Sequence, residues 1–336
     1  MNDEMQALVK PKITVHDIWK ARKTITPYVH KTPLVYAPSL SQKSGAKIYL
    51  KYEHLHLSGA FKLRGAINAL CHLSEKQKAQ GVTTFSTGNH GIAVAMAAQQ
   101  LGMKATICVS NHVPKSKSDF IQSLGAELKL TGASQDDAEA ACYQLERDKG
   151  MTIIPPFDHP EIIAGQGTIG LEILEDLPDV SCVIAGLSGG GLLSGISLVM
   201  KQTSPNIRTI GLSMEKGAAM YESLHANHPV TVNESPTLAD SLLGGIGQEN
   251  HYTFPIIQKN LDEALLIPEA TIAKGMAHLF AHQHIIVEGA AAISTGAVLD
   301  HYLTFNPGDH VVLIISGCNV DLNAHASAIR PYLDQV

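Results

Sequence analysis

Between residues 47 and 316 the chain repeats one pattern: a short β-branched, apolar run, a helix-length amphipathic segment, then another short run. This alternation constrains the fold more than any other feature, because parallel strands must be joined by crossovers long enough to hold a helix. The predicted strands are Lys47–Tyr52, Val82–Ser86, Ala105–Ser110, Glu127–Thr131, Cys182–Ala185, Thr209–Ser213 and Val311–Ser316, with helices between them such as Ile92–Leu101 and Ser134–Lys149. The fold class is therefore α/β. A chain of 336 residues that is 45% hydrophobic can bury enough core for two lobes. The clearest break in composition, Gly150–Pro160 with Pro155, Pro156 and Pro160, suits a return from one lobe to the other.

Charge and cysteine usage narrow the partners. The net charge of −6 comes from 31 acids against 25 bases without a basic run, which argues against nucleic acid or an anionic membrane and for a small molecule. Cys71, Cys108, Cys142, Cys182 and Cys318 are odd in number and contain no CxxC pair, so neither a disulfide framework nor a zinc site is expected, and a reducing cytoplasm fits. The first residues, MNDEMQALVKPK, lack the basic start and apolar centre of a secretory signal. Val180–Met200 is uncharged and long enough to span a bilayer, but nine of its residues are Gly or Ser, which predicts a strand, a tight turn and a helix start instead. Among 17 histidines, the pairs His54-x-His56 and His282-x-His284 have a spacing that could hold metal on one strand face; solvated histidines are the expected reading, and no metal is expected.

Four segments could carry chemistry. Ser58-Gly-Ala-Phe61-Lys62-Leu-Arg-Gly-Ala66 sets a lysine among small and apolar residues, and a desolvated lysine is the better amine nucleophile. Taken alone, a surface lysine whose stem lies along apolar neighbours is the plainer reading. Ser86-Thr87-Gly88-Asn89-His90-Gly91 follows an apolar run and opens a helix, where free backbone N–H groups favour an anion such as a carboxylate; a strand-to-helix turn capped by Asn89 would look the same. Ser188-Gly189-Gly190-Gly191-Leu192 follows the strand CVIAG, and three glycines let backbone amides approach a phosphate closely. The same loop nearly reads as a dinucleotide fingerprint, Gly189-x-Gly191-x-x-Ser194 with Glu215 downstream, although the final glycine is missing. Lastly, Val311–Ser316 delivers a serine to the carboxyl end of a buried-looking strand, where α/β proteins bind ligands, or else simply enters a turn.

In this order, together with Ala164–Gly170 (AGQGTIG) and Pro236–Asp240 (PTLAD), these segments resemble the threonine/serine dehydratase and serine racemase family of fold-type II pyridoxal-phosphate (PLP) enzymes, over nearly the whole chain. The resemblance implies two lobes, a large one from residues 1–52 plus 149–336 and a small one from residues 53–148. It implies that Lys62 holds the cofactor aldehyde as a Schiff base beside Phe61, that Asn89 contacts the ring hydroxyl, that Ser188, Gly189, Gly190, Gly191 and Leu192 cradle the phosphate, and that Ser316 faces the pyridine nitrogen. Ser86, Thr87, Gly88, Asn89 and His90, with Asp240, would bind substrate. Thr87 stands where the family's racemases carry the serine base of the second face, which points away from racemisation. Ser213 and Ala219 stand where racemase-like members place two metal-binding acids, so that site is expected to be missing. The segments Ser213–Met220 and Ala239–Gly247 look most like the dehydratase branch associated with hydroxyectoine utilisation.

The implied activity is conversion of a β-hydroxy amino acid of the threonine, serine or 3-hydroxyaspartate type to a 2-oxo acid and ammonia, in a cytoplasmic homodimer. The alternatives are amino-acid racemisation, β-replacement, and, in a different class, a non-catalytic PLP carrier or an NAD-binding protein.

Overall fold

The computed structural model describes residues 12–86, 88–111, 115–132 and 135–335. Among them are ten strands: β1 (Leu34–Tyr36), β2 (Lys47–Lys51), β3 (Val82–Phe85), β4 (Ala105–Val109), β5 (Glu127–Leu130), β6 (Thr152–Ile153), β7 (Cys182–Gly186), β8 (Arg208–Met214), β9 (Glu263–Ile267) and β10 (His310–Ile314). They form a six-stranded sheet of order β1-β2-β10-β7-β8-β9 and a four-stranded sheet of order β5-β4-β3-β6. Only β1 against β2 is antiparallel; the other pairs are parallel.

The central strands are apolar on both faces because helices cover both. On β10, Val311 and Leu313, with Ile315 just beyond, join one core, while Val312 and Ile314 join the opposite one, following the two-residue alternation of a strand. The first core is closed by the helices Glu269–Gln283 and Gly289–Leu299, through Ile272, Met276, Ala291 and Ile293. The second is closed by Pro160–Asp176 and Gly191–Thr203, through Ile169, Ile173, Leu193 and Ile196. Each fully buried Ile, Leu or Met side chain among these contributes about 1.5–3 kcal/mol of transfer free energy. In the smaller sheet, Val82 and Ile107 pack with the helices Lys62–Cys71 and Asn89–Gln100.

The seven strands read from the sequence are all present, and three further strands are not among those readings. β1 has three residues and β6 two, too short for periodicity to register, and β9 is the sequence EALLI, rich in good helix formers yet paired along β8. Val180–Met200 becomes β7, a turn and the start of the Gly191–Thr203 helix, and no helix among the described residues is long and apolar enough to cross a membrane. The proline-rich segment contributes edge strand β6 and then starts the Pro160–Asp176 helix with Pro160 at its first position, where a missing N–H costs nothing.

The histidine expectation needs correction for one pair. His54 and His56 are buried, not solvated: His56 Nε2 lies 3.0 Å from Glu53 Oε2, and burial pushes the pKa of His54 down to about 4. His282 and His284 are exposed as expected.

Candidate active site

The carboxyl ends of β3, β7 and β10 and the start of the Lys62–Cys71 helix meet around one cavity between the two sheets. Phe61, Lys62, Ser86, Gly88, Asn89, His90, Ser188, Gly189, Gly190, Gly191, Leu192, Asp240 and Ser316 all line it. Thr87, also assigned there from the sequence, lies outside the described residues.

The lysine is the most telling group. Lys62 Nζ donates to the carbonyl oxygen of Pro156 at 2.8 Å and sits 5.3 Å from the centroid of the Phe61 ring. Burial pushes its pKa down to about 8, opposed by the negative charge of Glu288. An ammonium held this way gives up its proton near neutral pH, which both imine formation and general-base action require.

The glycine loop is shaped by its neighbours. Gly190 adopts φ +85°, a left-handed conformation, and caps the Gly191–Thr203 helix, so the first backbone N–H groups of that helix open onto the cavity. A Cβ on Gly189 would come within 2.3 Å of the Phe157 ring, and one on Gly191 within 3.0 Å of the Phe157 side chain. Glycine is thus required by packing as well as by backbone angle. Replacing Gly189 with alanine is expected to displace either the loop or Phe157 and to weaken PLP binding roughly 5- to 150-fold, an overpacking penalty of about 1–3 kcal/mol. Fluorescence titration with PLP measures it, and an unchanged Kd would contradict the cradle.

At the end of β3, Gly88 caps the Asn89–Gln100 helix and leaves that helix's first N–H groups facing the same cavity. His90 lines the cavity, but its ring turns inward: Nε2 lies 2.9 Å from the carbonyl oxygen of Ile154. Burial, with the Lys62 charge adding to it, pushes its pKa down to about 3, so the ring is neutral. Any carboxylate contact from this residue therefore falls to its backbone. Asn89 is held on both sides, Nδ2 donating to both oxygens of Glu288 at 2.9 and 3.0 Å and Oδ1 accepting from Asn319 Nδ2 at 2.7 Å.

Sequence reasoning missed Glu288, Ser241, Pro156 and Phe157, all of which line the cavity. Glu288 precedes the run GAAAISTGAVL and looks like an ordinary acid at a helix start; Pro156 and Phe157 lie in the segment that reads only as a break.

These residues fit PLP: a desolvated amine, a glycine cradle that tolerates no Cβ at Gly189, and a fixed amide beside them. A family model described as pyridoxal-phosphate dependent enzyme matches residues 25–317. The L-threonine ammonia-lyase of Thermotoga maritima is 40% identical over 311 residues, covering 93% of this chain and 77% of that protein. The structure of maize serine racemase matches with a TM-score of 0.89 and 30% identity, covering 96% of this chain and 99% of that one. The crystal structure of a threonine deaminase from T.th. matches with a TM-score of 0.84 and 32% identity, covering 92% and 99%. The chain belongs to the pyridoxal-phosphate-dependent enzymes, with the fold-type II architecture. Within them it is a member of the threonine/serine dehydratase group, a PLP-dependent ammonia-lyase. The dinucleotide reading of the Gly189–Ser194 loop is thereby set aside.

Proposed function

We propose that this enzyme converts a β-hydroxy amino acid of the threonine, serine or 3-hydroxyaspartate type to a 2-oxo acid and ammonia, in the branch linked to hydroxyectoine utilisation, as a cytoplasmic homodimer. The water lost on elimination of the β-hydroxyl is taken up again when hydrolysis releases the ammonia. The observation that carries this reading is the convergence of the Lys62 amine, the Gly189–Gly191 loop and the Asn89 helix start on one cavity. Two separate sheets support lobes of 53–148 and 1–52 plus 149–336, with β6 added to the smaller sheet from just beyond residue 148.

In this reading Lys62 holds the cofactor and Phe61 packs beside it. Asn89 contacts the ring hydroxyl, Ser188 to Leu192 bind the phosphate through backbone amides, and Ser316 offers the pyridine nitrogen a neutral hydroxyl. When bound, PLP supplies the electron sink for the bond broken at Cα. As a free amine, Lys62 Nζ would take the Cα proton, and its pKa of about 8 suits it to act as a general base. Ser86, Gly88, Asn89 and His90, which line the cavity, hold the α-carboxylate with hydroxyl and backbone donors, Thr87 is assigned to the same role, and Asp240, also lining the cavity, contacts substrate. The neutral His90 ring adds no competing charge.

Assaying L-threonine, L-serine and both 3-hydroxyaspartate diastereomers side by side for 2-oxo acid and ammonia tests the assignment. Release from at least one of them is expected, at a kcat/KM at least about tenfold above the others, as one well-placed polar contact to the distal group would produce. Accumulation of a D-amino acid or a substituted alanine in place of the 2-oxo acid would overturn it.

A further inference from the structure

Glu288 belongs to none of the motifs that the sequence singles out, and its surroundings are costly to build. It is 4% exposed, and its described partners are donors without formal charge: Asn89 Nδ2 to both oxygens, the backbone N–H of Asn319 to Oε1 at 3.2 Å, and the Ser241 hydroxyl to Oε2. A buried carboxylate is expensive unless such bonds compensate it. Helix geometry does not account for it: Glu288 is the N-cap of Gly289–Leu299, yet its side chain makes no capping bond. The surrounding backbone leaves room for it instead, since a Cβ on Gly317 would come within 2.3 Å of Oε1.

Three distant parts of the chain are tied together by this one side chain: the Asn89 turn after β3, the Asp240–Leu242 turn, and the Gly317–Asn319 segment after β10. An asparagine amide has a donor end and an acceptor end that can exchange by rotation. With Glu288 accepting on one side and Asn319 donating on the other, only one orientation satisfies both. Lys62, Asp240 and the neutral His90 ring line the same cavity as Glu288, and the Cys318 thiol belongs to the Gly317–Asn319 segment packed against it; the negative charge of Glu288 opposes the lowering of the Lys62 pKa.

We propose that Glu288 is a positioning residue of this site: its carboxylate fixes the orientation of the Asn89 amide and sets the electrostatic field at the Lys62 nitrogen. The proposal rests on the reading of Lys62 and Asn89 as the groups that hold PLP.

The test compares the PLP-loaded wild type with Glu288→Gln and Glu288→Asp. The readouts are the pH titration of the visible absorbance of bound PLP, the Kd for PLP, and the unfolding midpoint. Glutamine removes the charge and places an N–H donor against the Asn89 donor. Its titration midpoint is expected to fall by about one unit, because a nearby negative charge no longer favours the protonated nitrogen, and its Kd to rise about tenfold. Aspartate keeps the charge but falls short of Asn89, so its midpoint is expected to stay near the wild-type value while its Kd still rises. A lowered unfolding midpoint with unchanged titration and Kd would mean a merely structural role and would overturn the proposal. If the glutamine variant does not fold, the aspartate variant decides, and a wild-type Kd there overturns it. Wild-type protein that develops no visible absorbance with PLP would instead sink the underlying reading of Lys62, a failure visible before any variant is made.

Discussion

Lys62→Ala is expected to lower kcat by roughly 10⁴-fold or more with every β-hydroxy amino acid that the wild type turns over, since it removes both the covalent anchor and the general base. The visible absorbance that borohydride abolishes in the wild type should be missing from the outset. The fold should survive. The Lys62 side chain makes one hydrogen bond, to the carbonyl oxygen of Pro156, and losing it costs about 1–3 kcal/mol, offset in part because burial of its ammonium works against stability. The thermal midpoint should therefore stay close to that of the wild type. Steady-state ammonia release and a thermal melt on one preparation check both parts. Turnover within tenfold of wild type would end the assignment.

The second large effect lies two residues away and is expected in stability. Arg64 is fully buried and bridges two buried carboxylates: Nε and Nη2 donate to Glu53 at 2.7 and 2.9 Å, and Nη1 and Nη2 donate to Glu172 at 2.7 and 2.8 Å. Lys51 Nζ completes the cluster with a 2.7 Å contact to Glu172. Replacing Arg64 with leucine leaves two carboxylates facing each other without their shared cation, so the loss should be about 3–5 kcal/mol. For a chain of this size that is a fall of roughly 4–7 °C in Tm. By contrast, Glu75→Ala removes an exposed partner of Lys78 and should leave Tm unchanged within error. A loss below about 1 kcal/mol for Arg64→Leu, measured by urea unfolding, would show that the cluster relaxes or hydrates instead.

The pH dependence of that stability has a definite sign. Burial alone would raise the pKa of Glu53, but Arg64 and His56 outweigh it and hold the carboxyl well below its ordinary value of 4.5; Glu172 is lowered too, by Arg64 and then Lys51 against its own burial. A carboxylate with a depressed folded-state pKa contributes stability fully above its unfolded-state value and loses it as pH falls toward the folded-state one. The wild type should therefore weaken progressively below about pH 4.5, and Arg64→Leu should flatten that acid limb. Because Arg64 and Lys62 share the first turn of one helix, the variant should lose activity as well.

What could be read in the sequence was whatever neighbouring residues decide among themselves. The β-branched runs located seven strands, and the triglycine after CVIAG announced a strand, turn and helix because backbone sterics act over a few residues. Four cofactor-type segments were legible for the same reason, each being a local cluster of donors, small residues or a nucleophile. β9 was not, since EALLI has helix-forming composition and becomes a strand only by pairing with β8. His54 and His56 were misread because nothing near them in the chain announces that Glu53 and Arg64 meet in the interior.

At the candidate site the division is sharper. By itself the sequence determined that a lysine, an asparagine turn, a glycine loop and a serine at a strand end exist, and in what order. Only the tertiary structure decided that they share one cavity, that Phe157 packs against the glycine loop, and that Glu288 reaches Asn89 from 199 residues away. Backbone preference is a property of a short segment, whereas desolvation and electrostatic field depend on which distant side chains are packed alongside. The lowered pKa of Lys62 belongs to that second kind: its small and apolar sequence neighbours raise desolvation as one reading beside a surface lysine, and only the packed structure decides between them.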